Sequence, residues 1–143
     1  MAKFGTRVRV FTLALVALAL GVAFVFPVIA EAQRCAGKRI SKPHVQNGHD
    51  QRIVGTSRND VIVGSNGDDD IIGLGGRDRL CGGRGEDDLI GGGGRDILLG
   101  NRGDDKLRGG EQQDVLKGGA GDDSCSGGEG VDVVSGCEDA GSS

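Results

Sequence analysis

A strict period of nine residues governs most of this chain. From Gly55 to Ser135 the sequence divides into nine consecutive nonapeptides without an insertion or a deletion. The first position is Gly in all nine, the fourth is Gly in seven, and the eighth is aliphatic except for Cys125. The sixth position is always Asp: Asp60, Asp69, Asp78, Asp87, Asp96, Asp105, Asp114, Asp123 and Asp132. A period this short predicts a stack of repeats, each burying its apolar residue against its neighbours.

The composition excludes several alternatives. Of the 143 residues 29 are Gly, and Trp and Tyr are absent. The four Phe all lie within the first 26 residues, so the repeats contain no aromatic side chain for a conventional core. The lack of aromatics also argues against binding nucleic acid by base stacking. A collagen helix is excluded because Gly does not recur at every third residue and only two Pro are present.

The nonapeptide resembles the G-G-x-G-x-D-x-U-x repeat of RTX (haemolysin-type) calcium-binding proteins. The resemblance covers Gly55 to Ser135. It implies an all-β fold, a parallel β-roll or β-solenoid of about four and a half coils, in which two nonapeptides make one coil. It also implies that Ca²⁺ lies between each turn and the turn one coil further on, with the nine Asp residues named above as metal ligands.

The residue types suit that chemistry. Gly at positions one, two and four is expected to permit positive φ and to aim carbonyl groups at one centre, and Ca²⁺ takes six to eight oxygen ligands. Stacking places each Asp beside the Asp two repeats later, where a cation would relieve the repulsion. Seven such pairs follow, and those that use Asp60 or Asp114 should be weaker because Arg58 and Gln112 replace the fourth Gly. Positions seven to nine should form the strand, with position eight inward.

The regions outside the repeats predict export. Residues 1–32 read as a signal peptide, with the basic residues Lys3, Arg7 and Arg9, an apolar stretch, and an A-x-A site that ends at Ala32. The alternative is an uncleaved membrane anchor; after cleavage no membrane association is expected. Residues 33–54 form a basic segment, the roll spans 55–135, and 136–143 form a C-terminal cap and tail. The expected location is therefore secreted or extracellular.

All four cysteines follow the predicted cleavage site, so two disulfides are expected. Cys125 occupies an inward position and Cys137 lies in the turn that closes the same end of the roll. The favoured pairing is Cys125–Cys137 with Cys35–Cys81, although four cysteines allow three pairings.

Alternate repeats should lie on opposite sides of the roll. At position seven the even repeats carry polar residues, Asp70, Asp88, Lys106 and Ser124, whereas the odd repeats carry Val61, Arg79, Ile97, Val115 and Val133. The odd face is therefore expected to be covered by residues 33–54, or else to bind a partner or a second copy of the chain.

The functional prediction is a secreted calcium-binding β-roll protein that folds when it binds Ca²⁺. No nucleophile–base set is visible, so no enzymatic activity is expected. The basic segment is short and has no aromatic residues, so nucleic acid is not an expected partner. The alternative function is a calcium-dependent adhesin or surface-matrix component that presents a face of the roll to a partner.

Overall fold

The computed structural model describes residues 49–141, which form a parallel β-solenoid of about five turns. Within this range there are eleven strands and no helix. The strands are β1 (Gln51–Thr56), β2 (Val61–Val63), β3 (Asp69–Gly75), β4 (Arg79–Arg84), β5 (Asp88–Gly93), β6 (Ile97–Arg102), β7 (Lys106–Glu111), β8 (Val115–Ala120), β9 (Ser124–Glu129), β10 (Val133–Ser135) and β11 (Asp139–Gly141). The predicted all-β parallel β-roll is confirmed.

Two parallel sheets face each other. The six-stranded sheet has the order β1-β3-β5-β7-β9-β11, and the five-stranded sheet has the order β10-β8-β6-β4-β2. Strands of even repeats form the first sheet, which we call the even sheet, and strands of odd repeats form the second, the odd sheet. Residues pair in register with the residue one coil later, as Leu89 does with Leu107 and Leu80 does with Leu98. The predicted separation of odd and even repeats is therefore confirmed.

Beside a small apolar cluster of Val63, Cys81 and Leu99, the main core is a ladder of position-eight side chains. Its fully buried members are Ile62, Ile71, Leu80, Leu89, Leu98, Leu107, Leu116 and Cys125, with Ile53, Val134 and Cys137 packed against them. Most strands run on past position nine to position three of the next repeat, as in β4 and β6. They are therefore longer than the three residues that the sequence predicts.

Gly plays two different parts in the turns. From Leu74 to Gly130, positions two and four have positive φ in every repeat, including the non-Gly residues Leu74 (81°), Asn101 (84°) and Gln112 (76°). Position one has no positive φ in any of the nine repeats, so the expectation for that position was wrong. The reason for Gly there is space: a Cβ on Gly91 would lie 2.5 Å from Oδ2 of Asp96 and 2.6 Å from the carbonyl oxygen of Gly109.

The C-terminal end of the ladder is closed covalently. Cys125 and Cys137 form a disulfide with a Cα–Cα distance of 5.9 Å, which confirms that predicted pair. Cys81 is also disulfide-bonded. Its expected partner, Cys35, lies outside the described residues, as do the signal peptide and most of the basic segment.

The outer surfaces of the two sheets differ. On the odd sheet Val61 and Val63 are buried, Cys81 is fully buried, and Val133 is 59% exposed. On the even sheet Asp70, Lys106 and Ser124 are exposed. Residues 51–54, which were predicted to belong to the basic segment, instead form part of β1 in the even sheet and so do not cover the odd sheet; residues 33–48 lie outside the described residues. A search of the described residues for a helix long and apolar enough to span a membrane finds none.

Candidate metal centre

The invariant Asp residues form two hydrogen-bonded rows, one along each edge of the solenoid. The backbone amide of each Asp donates to Oδ1 of the Asp one coil later, at 2.7–2.9 Å. The structure thus brings together all seven predicted pairs: Asp60/Asp78, Asp69/Asp87, Asp78/Asp96, Asp87/Asp105, Asp96/Asp114, Asp105/Asp123 and Asp114/Asp132. The first eight Asp are buried, with exposed fractions of 1–6%.

The second carboxylate oxygen divides these residues into two groups. In six of them Oδ2 is buried and accepts no hydrogen bond: Asp78, Asp87, Asp96, Asp105, Asp114 and Asp123. A buried carboxylate oxygen without a partner is costly in a folded protein. Six such atoms, three along each edge of the solenoid, therefore indicate positions that a ligand would complete.

Backbone carbonyl groups of positions one, two and four also point toward the neighbouring coils. The carbonyl of position one points back toward the previous coil, as that of Gly109 does over Gly91. The carbonyls of positions two and four point forward to the next coil. At position two the Leu74 carbonyl meets Gly92, and at position four the Gly67 carbonyl lies 2.6 Å from where a Gly85 Cβ would be. Carbonyl oxygens of these three positions and pairs of Asp carboxylates thus border the gaps between successive coils.

This donor set fits Ca²⁺. Ca²⁺ accepts six to eight oxygens from carboxylates, carbonyls and water in flexible geometry. Mg²⁺ fits less well, because it requires a near-ideal octahedron and keeps several of its waters. Within residues 49–141 no group of three or more His, Cys, Asp or Glu side chains converges to hold a metal. An ion bound here would accordingly depend on the backbone carbonyls as well as on the paired carboxylates.

The comparisons with known proteins agree with this geometry. The family model described as RTX calcium-binding nonapeptide repeat (4 copies) matches residues 47–80, 54–89, 74–107, 81–116 and 99–134. The chain belongs to the RTX calcium-binding nonapeptide repeat family. No curated protein and no solved structure matches the chain.

The first two RTX turns are closed differently from the others. Oδ2 of Asp60 accepts hydrogen bonds from both the amide and the hydroxyl of Thr56, each at 2.7 Å. Oδ2 of Asp69 accepts one from the amide of Ser65 at 2.5 Å. Neither Thr56 nor Ser65 has positive φ, unlike position two of every later repeat. In these two turns the protein itself satisfies the oxygen that is left unpaired from Asp78 to Asp123.

The hydroxyl groups explain this local geometry. The Thr56 hydroxyl accepts the amide of Arg58, and the Ser65 hydroxyl accepts the amide of Gly67, each at 3.2 Å. Such short contacts from a Ser or Thr to the residue two positions later stabilise a turn without left-handed residues. Both turns have Ser or Thr at position two and Asp four residues later. This pattern is visible in the sequence and distinguishes these two turns from the others.

The buried RTX carboxylates have raised pKa values. Burial raises the pKa of Asp87 to about 8; the amide of Asp69 opposes this shift, and the charges of Asp105, Asp69 and Asp68 add to it. Burial likewise raises the pKa of Asp105 to about 7 and that of Asp96 to about 6. The pKa values of Asp78, Asp114 and Asp123 are raised for the same main reason. Placing a cation beside these groups would favour their charged forms.

The two edges differ at position five, the exposed tip of each turn. Even repeats carry acids there, Asp68, Glu86, Asp104 and Asp122, whereas odd repeats carry Asn59, Arg77, Arg95, Gln113 and Val131. On the even edge the amide of Glu86 donates to Asp68 at 2.8 Å. On the odd edge Arg95 donates to Gln113 at 2.8 Å. Cations on the two edges would thus experience fields of different strength.

The repeat pattern did not predict one acidic residue, which lies at the C-terminal end of the even row of Asp residues. The amide of Asp123 has no Asp one coil later; it donates instead to Oε2 of Glu138, at 2.6 Å. Glu138 lies outside the nine aligned nonapeptides, so the Asp pattern did not reveal it. Asp132, the last position-six Asp, is partly exposed and accepts the amide of Asp114 at 2.9 Å.

Proposed function

We propose that this chain is a secreted calcium-binding β-roll protein whose folding is coupled to Ca²⁺ binding. The observation that carries the proposal is the set of six buried Asp Oδ2 atoms without hydrogen-bond partners, three along each edge. Without a cation each of these carboxylates is either charged and unpaired or protonated. With a cation the same atoms become ligands, so the bound state stabilises the solenoid.

The proposed ligands are position-specific. Asp78, Asp87, Asp96, Asp105 and Asp114 each offer Oδ2, together with the carboxylate of the Asp one coil later and nearby backbone carbonyls. Asp132 supplies the second carboxylate of the gap that begins at Asp114. Asp60 and Asp69 contribute structure more than metal binding, because the amides of Thr56 and Ser65 already occupy their Oδ2 atoms. We therefore place the calcium sites from the third turn onward.

A calcium titration of residues 33–143 tests the coupling. The metal-free chain should lack most of its β-structure and gain it in about 0.1–1 mM Ca²⁺, the range of extracellular calcium modules. Mg²⁺ at equal ionic strength should substitute poorly. Far-UV circular dichroism is the suitable measurement, because this part of the chain has no aromatic residue. Identical spectra with and without Ca²⁺ would contradict the proposal.

Two matched triple variants distinguish an effect of metal ligation from an effect of total charge. Replacing Asp87, Asp105 and Asp123 with Asn removes three buried carboxylates from the even edge. Replacing Asp68, Asp104 and Asp122 with Asn removes the same charge from exposed positions on that edge. The first variant should lose calcium-induced β-structure along this edge, whereas the second should only shift the titration to higher Ca²⁺. Equal behaviour of the two variants would show that general charge, rather than ligation, drives the response.

The proposal includes export and the absence of catalysis. RTX repeat proteins are typically secreted and their repeat domains are generally structural. The predicted signal peptide, residues 1–32, supports secretion. N-terminal sequencing of the protein recovered from culture medium would test it, with Gln33 as the expected first residue. A hydrolase screen of the calcium-loaded protein should give no turnover.

A second candidate function is a calcium-dependent adhesin or surface-matrix component. A groove of about 820 Å³ beside the odd turns favours it, because its lining includes Val61, Ile97, Val115 and Val133 together with arginines. The opposite edge has a smaller depression of about 350 Å³ lined mainly by acids. Sedimentation with and without Ca²⁺ tests self-association, and Ile97→Asp with Val115→Asp should weaken it. A chain that stays monomeric and binds no cell surface in Ca²⁺ would remove this candidate.

A further inference from the structure

The C-terminal end of the solenoid contains a tenth turn that is three residues short. β11 pairs with β9 through Asp139 and Ser124, a separation of 15 residues. The corresponding pair one coil earlier, Lys106 and Ser124, is 18 residues apart. Only Gly136, Cys137 and Glu138 connect β10 to β11. The turn therefore lacks half of the six residues that precede a strand in the other repeats.

Glu138 occupies the place of the position-six Asp in this short turn. Its carboxylate accepts the amide of Asp123, the contact that Asp105 makes with Asp87 in the same row. Its own amide donates to the carbonyl of Asp123 at 2.9 Å. The additional methylene of Glu lets the carboxylate reach the row although the turn is short. The Cys125–Cys137 disulfide holds the preceding residue against the core.

The gap that Glu138 closes has two of the donors found in the other gaps, a buried Asp Oδ2 and a position-one carbonyl. Asp123 is 2% exposed, and its Oδ2 has no hydrogen-bond partner. That oxygen lies 2.5 Å from where a Gly118 Cβ would be, and the carbonyl oxygen of Gly136 meets the same point. This is the arrangement found at Gly91, where Asp96 and Gly109 supply the two oxygens.

We propose that Glu138 is a metal ligand, which together with Asp123 and the carbonyl of Gly136 forms a calcium site at the C-terminal end of the even edge. The inference rests on the proposed calcium-binding function and adds one site that the nonapeptide pattern does not contain. Of the seven gaps bordered by two Asp residues, five begin at a buried, unpartnered Oδ2 atom, and the gap between Asp123 and Glu138 makes six such gaps.

Counting bound ions in variants tests this site. Residues 33–143 would be saturated with Ca²⁺ and the ions per chain counted by equilibrium dialysis, for the wild type, Glu138→Gln and the control Glu129→Gln. Glu129 is an exposed acid in the last complete coil, in the turn of the opposite edge, so its replacement makes the same change of charge away from this gap. We expect Glu138→Gln to bind one ion fewer than the wild type and Glu129→Gln to bind the same number.

A second measurement separates ligation from structure. Gln at 138 retains an oxygen that can accept the amide of Asp123, so hydrogen exchange of that amide should be the same as in the wild type without Ca²⁺. With Ca²⁺ its protection should fall in Glu138→Gln alone. An unchanged ion count in Glu138→Gln, or an equal loss in Glu129→Gln, would overturn the inference while leaving the proposed function intact. A wild type that binds no Ca²⁺ would overturn both.

Discussion

Oδ1 of Asp105 accepts the amide of Asp87 at 2.9 Å, while Oδ2 of Asp87 is buried without a partner. The two oxygens of each such carboxylate therefore act in different directions. One joins a turn to the turn one coil before it, and the other is available to a cation. Because a single side chain does both, coil stacking and metal binding are physically linked at these positions.

The stability of the metal-free chain should fall as the pH rises. Asp87, Asp105 and Asp96 have folded-state pKa values of about 8, 7 and 6, above the ordinary value of 3.8. Between pH 3.8 and about 8 the folded state therefore binds more protons than the unfolded state. Its free energy of unfolding decreases as the pH rises through that window. Far-UV circular dichroism of the metal-free chain should therefore show more residual β-structure at pH 5 than at pH 8.

Calcium should reverse this dependence, because protons and Ca²⁺ compete for the same oxygens. The stabilisation that Ca²⁺ adds should be greatest near pH 8 and small near pH 5. The comparison needs only the same circular dichroism spectra at the two pH values with and without saturating Ca²⁺. A metal-free chain that becomes more stable from pH 5 to pH 8 would contradict the assignment of raised pKa values.

Asn substitutions at Asp69 and Asp96 should have different effects on calcium binding. Oδ2 of Asp69 accepts the Ser65 amide, whereas that of Asp96 has no partner. Asp96→Asn should lower the number of bound ions, since this side chain borders two gaps in the odd row. Asp69→Asn should leave that number unchanged. Isothermal titration calorimetry of both variants measures the difference, and equal losses would place metal sites in the first two turns as well.

Replacing Leu74 with Gly should stabilise the solenoid. Leu74 has a φ of 81°, a conformation that costs an L-residue about 1–2 kcal/mol and Gly very little. Its side chain is 51% exposed and so contributes little burial. After allowing for the greater freedom of Gly in the unfolded chain, we expect a gain of about 0.5–1 kcal/mol in the free energy of unfolding in Ca²⁺.

Two other substitutions control for this effect. Leu74→Ala removes the side chain but keeps the Cβ, so it should give no such gain. Gly92→Ala, at the same position one coil later, should destabilise the protein because its Cβ would meet the carbonyl group of Leu74. A stability ranking in which the Ala and Gly variants at position 74 are equal would argue against backbone strain.

Exposed charge at position five should tune calcium affinity separately on each edge. Arg95→Glu should raise the affinity of the odd edge and Asp104→Arg should lower that of the even edge, each by about two- to five-fold, the size expected of exposed charge pairs. Both effects should nearly vanish at about 1 M salt, where screening acts within about 3 Å. Calorimetric titrations at low and high salt measure this. Lys117→Glu, on an exposed strand position of the odd sheet, is the matched change of charge away from the turns.

The sequence predicted the features that repeat. The nine-residue period identified the Asp rows, the inward ladder from Ile62 to Cys125 and the assignment of odd and even repeats to different sheets. It also predicted the Cys125–Cys137 disulfide, because an inward Cys next to the last turn has few possible neighbours. These features follow from spacing, because in a regular parallel stack residues 18 apart in the sequence lie next to each other.

The features that the sequence did not predict depend on local backbone geometry. Thr56, Ser65, Leu74 and Asn101 all replace Gly at position two, yet only Leu74 and Asn101 adopt positive φ. The hydroxyl contacts to the residue two positions later distinguish Thr56 and Ser65, and a residue-type alignment does not include them. Glu138 was missed for a related reason: the shortened turn moves it out of phase with the repeat, and only the strand pairing restores the correspondence.

The pairing of each turn with the turn one coil later sets the length by which this protein can grow or shrink. Removing 18 residues, such as 91–108, would bring like edges together, so on the even edge an acidic tip, Asp122, would still follow the acidic tip Glu86, and on the odd edge Gln113 would follow Arg77. Removing nine residues would keep every Asp in phase. It would, however, exchange the two edges from that point on, so that polar strands of even repeats would be added to the odd sheet. The natural module for duplication or for engineering a longer array is therefore a whole coil, although the visible repeat is half of one.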